Sequence, residues 1–115
     1  MNYYEIYFDL QDSTRDLDFC ERLSKYMGYL EGKGLIEGYT LKRRKLGFGP
    51  RELGEFNATI RVKDMAQLEL AFSEAATRGP NVEPLHKAVY SQVTNLSFAL
   101  TRDFPDPVRV SPGGG

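Results

Sequence analysis

YYEIYFDLQDSTRDLDFCERLSKYMGYLEGKG, Tyr3 to Gly34, changes its hydrophobic period part-way along, and that change decides the fold. From Tyr3 to Leu10 the residues alternate. Tyr4, Ile6, Phe8 and Leu10 fall on one side of a strand, and Tyr3, Glu5, Tyr7 and Asp9 on the other. Asp12, Ser13 and Thr14 then offer helix-capping side chains, and Asp16 and Asp18 place negative charge where a helix dipole favours it. Leu17, Cys20, Leu23, Met27 and Leu30 recur at steps of three and four, which predicts a helix over Thr14 to Lys33. Gly34 follows as a left-handed stop.

Downstream the same unit returns. Ile36 to Leu46 reads as a strand, Glu55 to Val62 as a third, Met65 to Arg78 as a helix and Asn95 to Thr101 as a last strand. Asp64 and Gln67 have the spacing of a capping box. Phe56, Ala58, Ile60 and Val62 supply an apolar strand face, and Met65, Leu68, Phe72 and Ala75 an apolar helix stripe. Between Val82 and Val93, Val82, Leu85 and Val89 are spaced for a short extra helix with Pro84 in its first turn. The order βαββαβ predicts an α+β, ferredoxin-like sandwich with an antiparallel sheet in the order 4-1-3-2 and both main helices on one face. Residues 1–104 form this domain, and 105–115 read as a Pro- and Gly-rich tail, expected to be disordered.

Bulk composition narrows the function classes. The chain has 115 residues, 41% of them hydrophobic and 27% charged, which suits one globular core. A formal charge of -1 lacks the basic excess of a general nucleic-acid binder. Cys20 stands alone, so neither an internal disulfide nor a cysteine metal cluster is available, and a reducing cytoplasm is the expected setting. Met1 to Leu10 reads as a strand rather than a signal peptide, and no run reaches the ~20 apolar residues of a membrane span. One histidine and no cysteine cluster leave a metal only carboxylates, without calcium-loop spacing, and no Gly-rich phosphate loop opens a helix, so no cofactor or metal is expected.

The alternation in the strands separates two sheet faces. Ile6, Phe8, Phe56, Ile60, Leu96 and Phe98 are expected to meet the helices. The other face carries Tyr3, Tyr7, Asn57, Thr59, Ser97 and Ala99, neither strongly charged nor strongly apolar. Such a face suits a copy of itself, so the expected partner is a second chain packed back to back about a twofold axis. Lys42-Arg43-Arg44-Lys45 sends charge to both faces of its strand and belongs at a sheet edge or beyond the core; with Arg51 it could bind a phosphate or carboxylate, but a solvated edge that resists unwanted pairing is the favoured reading.

His86 is the sole histidine and the natural acid-base candidate near neutral pH. Glu83 lies three residues before it and Tyr90 four after, so one helix face carries all three. Glu83 is placed to orient the imidazole, and Tyr90 to bind a substrate oxygen; the alternative, which a lone histidine without a second fixed partner favours, is a surface histidine on a solvated helix face. Seven tyrosines stand beside an absence of Trp, supplying apolar bodies with polar tips. Tyr29 joins Tyr90 as a pocket candidate, with Phe8 and Phe98 on the helix-facing side of the sheet. Cys20, on the predicted helix stripe, is expected to be buried.

The run His86-Lys-Ala-Val-Tyr90, an apolar strand, and then Asp103-Phe104-Pro105 resembles the dimeric α+β barrel superfamily, nearest its stress-responsive α/β-barrel and antibiotic-biosynthesis-monooxygenase-like members. The chain departs from the former in carrying Glu83 where a paired histidine is expected. It is also similar to an uncharacterised bacterial group of small ferredoxin-like proteins. The resemblance implies a dimer with a pocket between sheet and helices. It also implies cofactor-free proton abstraction or oxygenation on an apolar or aromatic substrate, with His86 as base and Tyr90 or Tyr29 as oxyanion partner. The alternative it leaves open is a non-catalytic stress-response or interaction module working through its dimer surface. RNA-recognition modules share the βαββαβ order, but Glu55, Asn57 and Thr59 stand where that fold stacks bases on aromatics, so no nucleic-acid partner is expected.

Overall fold

The computed structural model describes residues 1–105. Residues 106–115, most of the expected tail, lie outside the described residues. The chain forms β1 (Asn2–Leu10), α1 (Asp16–Gly32), β2 (Gly38–Arg43), β3 (Phe56–Val62), α2 (Met65–Ala76), α3 (Glu83–Tyr90) and β4 (Val93–Arg102), with a 3-10 turn at Ser13–Arg15. The strands make one four-stranded sheet in the order β2-β3-β1-β4, the order expected from the sequence. All three pairings are antiparallel.

Local chemistry sets the joints. Asp12 caps the 3-10 turn, its carboxylate accepting from the Thr14 N–H at 3.0 Å. Gly34 ends α1 with φ 71°, while the Leu35 N–H reaches back to the Leu30 carbonyl at 2.9 Å. That is a Schellman close, and it needs the left-handed residue that glycine supplies without strain. Asp64 caps α2 by accepting from the Gln67 N–H at 2.9 Å. The reciprocal half of the box is displaced by one residue: Gln67 Oε1 accepts from the Lys63 N–H, and its amide donates to Gly34 O and the Glu37 carboxylate. The buried Gln67 therefore ties the start of α2 to the α1–β2 turn.

Phe8, Phe56, Ala58, Ile60 and Val62 on the sheet meet Phe19, Leu23, Tyr26, Met27 and Leu30 of α1, Leu68 and Ala71 of α2, and Val82 and Val89 around α3. Two expectations about this core need correction. Cys20 and Leu17 are exposed, Leu17 at 82%, because the buried stripe of α1 is rotated onto Phe19 and Tyr26. Leu96 and Phe98 of β4 do not disappear under helices. Both remain exposed, as do Met65 and Phe72 of α2. β4 is an edge strand, and the buried strand residues lie mostly on β3, with Phe8 from β1 and Val93 at the start of β4.

β4 also contains an irregularity the strand pattern did not announce. Tyr7 pairs with Ser97 but Asp9 pairs with Thr94, so Asn95 and Leu96 both stand opposite Phe8. Asn95 takes φ 52°, and its side-chain amide donates to the Asp9 carboxylate at 3.0 Å. The extra residue restores phase: Val93 and Leu96, of opposite parity in a regular strand, both reach the helix side.

β2 is the other edge, as its charge predicted. Arg43 bonds Glu55 at 2.6 Å and Asp16 at 3.2 Å, and Arg44 donates to the carbonyls of Pro50, Leu53 and Gly54. Two members of the basic run thus close the β2–β3 loop.

Candidate functional site

Between the sheet and the three helices lies an apolar cavity of about 120 Å³. Ile6 and Phe8 of β1 and Ala58 and Ile60 of β3 form its floor. Phe19, Leu23, Tyr26, Met27 and Leu30 of α1, Leu68, Ala71, Phe72 and Ala75 of α2, and His86, Val89 and Tyr90 of α3 form its walls. The small side chains at Ala58, Ala71 and Ala75 leave the space open.

α3 delivers the polar groups. Pro84 in its first turn and Val82 buried beneath it fix its start, and the Arg22 guanidinium holds the Ala88 carbonyl at 3.3 Å from α1. The four-residue step from His86 to Tyr90 stacks their rings at 4.4 Å with 26° between planes. Tyr26 meets the imidazole edge-on at 5.8 Å. Tyr4 of β1 closes the group from the sheet, between the Phe72 ring at 5.2 Å and the Phe98 ring at 5.8 Å.

Burial pushes the Tyr90 and Tyr4 hydroxyls above the ordinary tyrosine range, with the neighbouring Tyr90 adding to the effect on Tyr4. Tyr26 is pushed up to about 12, chiefly by burial and then by Tyr90. All three phenols therefore stay protonated at physiological pH and present O–H donors. Among the described residues, none of these hydroxyls and neither imidazole nitrogen has a hydrogen-bond partner in the protein. An apolar cavity whose wall carries one imidazole and three uncommitted phenols offers a proton acceptor and hydrogen-bond donors for an oxygen anion.

The sequence-selected residues divide. His86, Tyr90 and Phe8 line the cavity, and Phe98 sits beside it on Tyr4. Tyr29 is not part of the wall. Its hydroxyl bonds Glu74 at 3.3 Å, and Lys33 pairs with the same carboxylate at 2.9 Å, tying α1 to α2. Glu83 is half-buried at the start of α3 and makes no ion pair with His86 among the described residues. Tyr26 and Tyr4, two of the seven tyrosines able to line a pocket, stand in the wall although the sequence favours Tyr29 and Tyr90. Tyr26 stands three residues from Leu23 and four from Leu30, and Tyr4 shares a strand face with Ile6 and Phe8, so the periodicities that located the core also carried these two.

Three solved structures share this architecture. SnoaB, a cofactor-independent oxygenase from Streptomyces nogalater, aligns at TM-score 0.66 and 13% identity over 91% of this chain and 97% of that one. HapK from Hahella chejuensis aligns at TM-score 0.59 and 14% identity over 92% and 95%. A dimeric protein of unknown function and ferredoxin-like fold from Bacteroides fragilis aligns at TM-score 0.58 and 11% identity over 89% and 95%. At these identities the likeness is one of fold, and it agrees with the ferredoxin-like class read from the sequence. No curated protein sequence matches the chain. A family model matches residues 1–112. The chain belongs to the family of unknown function DUF6614. The family description adds no residue roles, so the chemistry of the DUF6614 site rests on its own geometry.

Proposed function

We infer that this protein binds a small, largely apolar molecule carrying an acidic O–H or C–H, and that His86 takes that proton while Tyr90 and Tyr26 hydrogen-bond the oxygen that becomes negative. The observation that carries the reading is the cavity itself. Its wall is apolar except for an imidazole and phenols that have no partner in the protein. Polar groups that stand on an otherwise apolar wall with no partner in the protein are open to a ligand or water that supplies one. Tyr26 takes the place the sequence reading gave to Tyr29. The fold is shared with a cofactor-independent oxygenase, which fits a reaction that needs no bound cofactor.

The single histidine makes the test direct. Phenol is titrated into the protein while the imidazole NMR signals and heat are followed. Saturable binding that shifts the His86 signals is expected, and His86→Ala is expected to lose at least tenfold in turnover on any phenol or enolisable ketone that consumes oxygen. An imidazole unmoved at saturating phenol, or turnover untouched by the substitution, would remove the role assigned to His86.

A second reading concerns assembly. The outer sheet face is half-buried at Tyr3, Tyr7, Asn57 and Thr59, and the Asn57 Nδ2 is buried without a partner among the described residues. A twofold copy packed on this face supplies acceptors to that amide, as the B. fragilis neighbour is itself dimeric. Sedimentation is expected to give twice the 13.0 kDa chain mass; a stable single-chain species at micromolar concentration removes the homodimer.

A further inference from the structure

The cavity ends in a row of uncovered apolar side chains. Leu96, Phe98 and Leu100 stand on the helix-facing side of β4 at 38%, 53% and 51% exposure, and Phe72 of α2, at 48%, packs on the same Tyr4 ring as Phe98. These residues are continuous with the cavity, because Phe72, Tyr4 and Leu96 belong to its wall and Tyr4 touches both Phe72 and Phe98. In register, Leu100 lies opposite Tyr4 and Phe98 opposite Ile6. From Leu96 to Leu100 the row runs about 13 Å at about 3.3 Å per residue.

Volume limits what the enclosed part accepts. An apolar cavity of about 150 Å³ holds one benzene. The 120 Å³ here accommodates about one ring and no more. A larger ligand extends beyond this space, and where Tyr4, Phe72 and Leu96 form the wall it meets this row.

We propose that the ligand is an elongated amphiphile, with a ring-sized head bearing the acidic group beside His86 and an unbranched apolar tail lying along Phe72, Phe98 and Leu100. This rests on the reading of the cavity given above and names the shape and class of what enters it. Nothing polar among these side chains interrupts the row, so it selects a hydrocarbon tail rather than a sugar, peptide or nucleotide extension. The row lies on the helix side of the sheet, away from the face assigned to the second copy, and both bodies fit at once.

The test is a chain-length series of phenol, para-butylphenol, para-octylphenol and para-dodecylphenol, measured by calorimetry below the concentrations at which they self-associate. A fully buried methylene is worth about fourfold in affinity, and one covered on a single side about twofold. Octylphenol is therefore expected to bind at least tenfold more tightly than butylphenol, with little added by dodecyl once the row is spanned. Leu100→Ser, a change at an exposed position, is expected to cut the octyl-to-butyl ratio at least threefold. Phe98→Ser is expected to act in the same direction. A flat series with phenol still bound overturns the tail proposal and leaves the cavity reading standing, whereas failure of every member, phenol included, overturns both. A ratio that survives Leu100→Ser and Phe98→Ser together also overturns it, because the tail then lies elsewhere.

Discussion

Filling the cavity should make the protein more stable and less able to bind. Ala58 sits in the middle of β3, buried, opposite Ile6 on one neighbour and Leu41 on the other, and it forms part of the cavity floor. Ala58→Ile adds three carbons into that space on a strand, where a β-branched residue is well suited. At ~0.8 kcal/mol per buried carbon the transfer gain is about 2.4 kcal/mol. The void gives an independent bound: at ~24 cal/mol per Å³, filling all 120 Å³ is worth about 3 kcal/mol. The isoleucine fills part of the space, and shape mismatch takes back some of the gain, so the expected net is about 1–2 kcal/mol. In a domain of this size each kcal/mol moves Tm by about 4–8 °C. The assay pairs urea or thermal unfolding with phenol titration. The stabilised variant is expected to bind phenol at least tenfold more weakly, since the added carbons occupy the ring's place. Destabilisation by 1 kcal/mol or more, or phenol affinity left intact, would show that the floor at Ala58 is already closely packed and that the reasoning from volume is wrong. A domain that forgoes about 3 kcal/mol of packing spends a sizeable share of an ordinary folding free energy, which is expected where the space serves binding.

Two further outcomes test the bulge and the loop beside the site. Hydrogen bonds from the Glu55 N–H and then the Asn95 amide hold the Asp9 carboxyl below the usual carboxylate range. A lowered folded value means the contribution is complete above the unfolded aspartate range and is lost as pH falls through the folded one, so the urea midpoint of Asp9→Asn should fall less steeply on acidification than that of the unaltered protein. Asn95→Val places a β-branched residue at φ 52° and removes its bond to Asp9. It should cost about 2–3 kcal/mol in denaturant unfolding, against about 1 kcal/mol for Asn95→Gly, which tolerates that backbone. Equal costs for the two would mean the positive φ carries no strain.

The strands and helices were legible because each announces itself within ten or twenty residues. Alternation at Tyr4, Ile6 and Phe8 and the three-and-four steps at Leu23, Met27 and Leu30 are local properties of the chain, as are the Gly34 stop and the Asp64 cap. His86 and Tyr90 could be paired for the same reason, since four residues along one helix bring them together. Even the sheet order followed, because few topologies join these elements. The errors began where the phase of a helix had to be known to within one residue. Cys20 and Leu17 were placed inward and Phe19 and Tyr26 passed over, although both readings satisfy similar spacings.

Local pattern, then, determined which segments fold into what and which side of each is apolar. Tertiary structure decided how much of that apolar surface is covered. Nothing near Leu96, Phe98 or Leu100 in sequence says that the buried strand residues lie mostly on β3 and that these three stay exposed at the β4 edge. Nor does any local signal bring Tyr26 and Tyr90, from two helices, onto one imidazole, with Tyr4 on the same cavity wall. Periodicity records a direction away from water, but a cavity is a failure of distant side chains to fill the space they share, and that exists only once the layers have met.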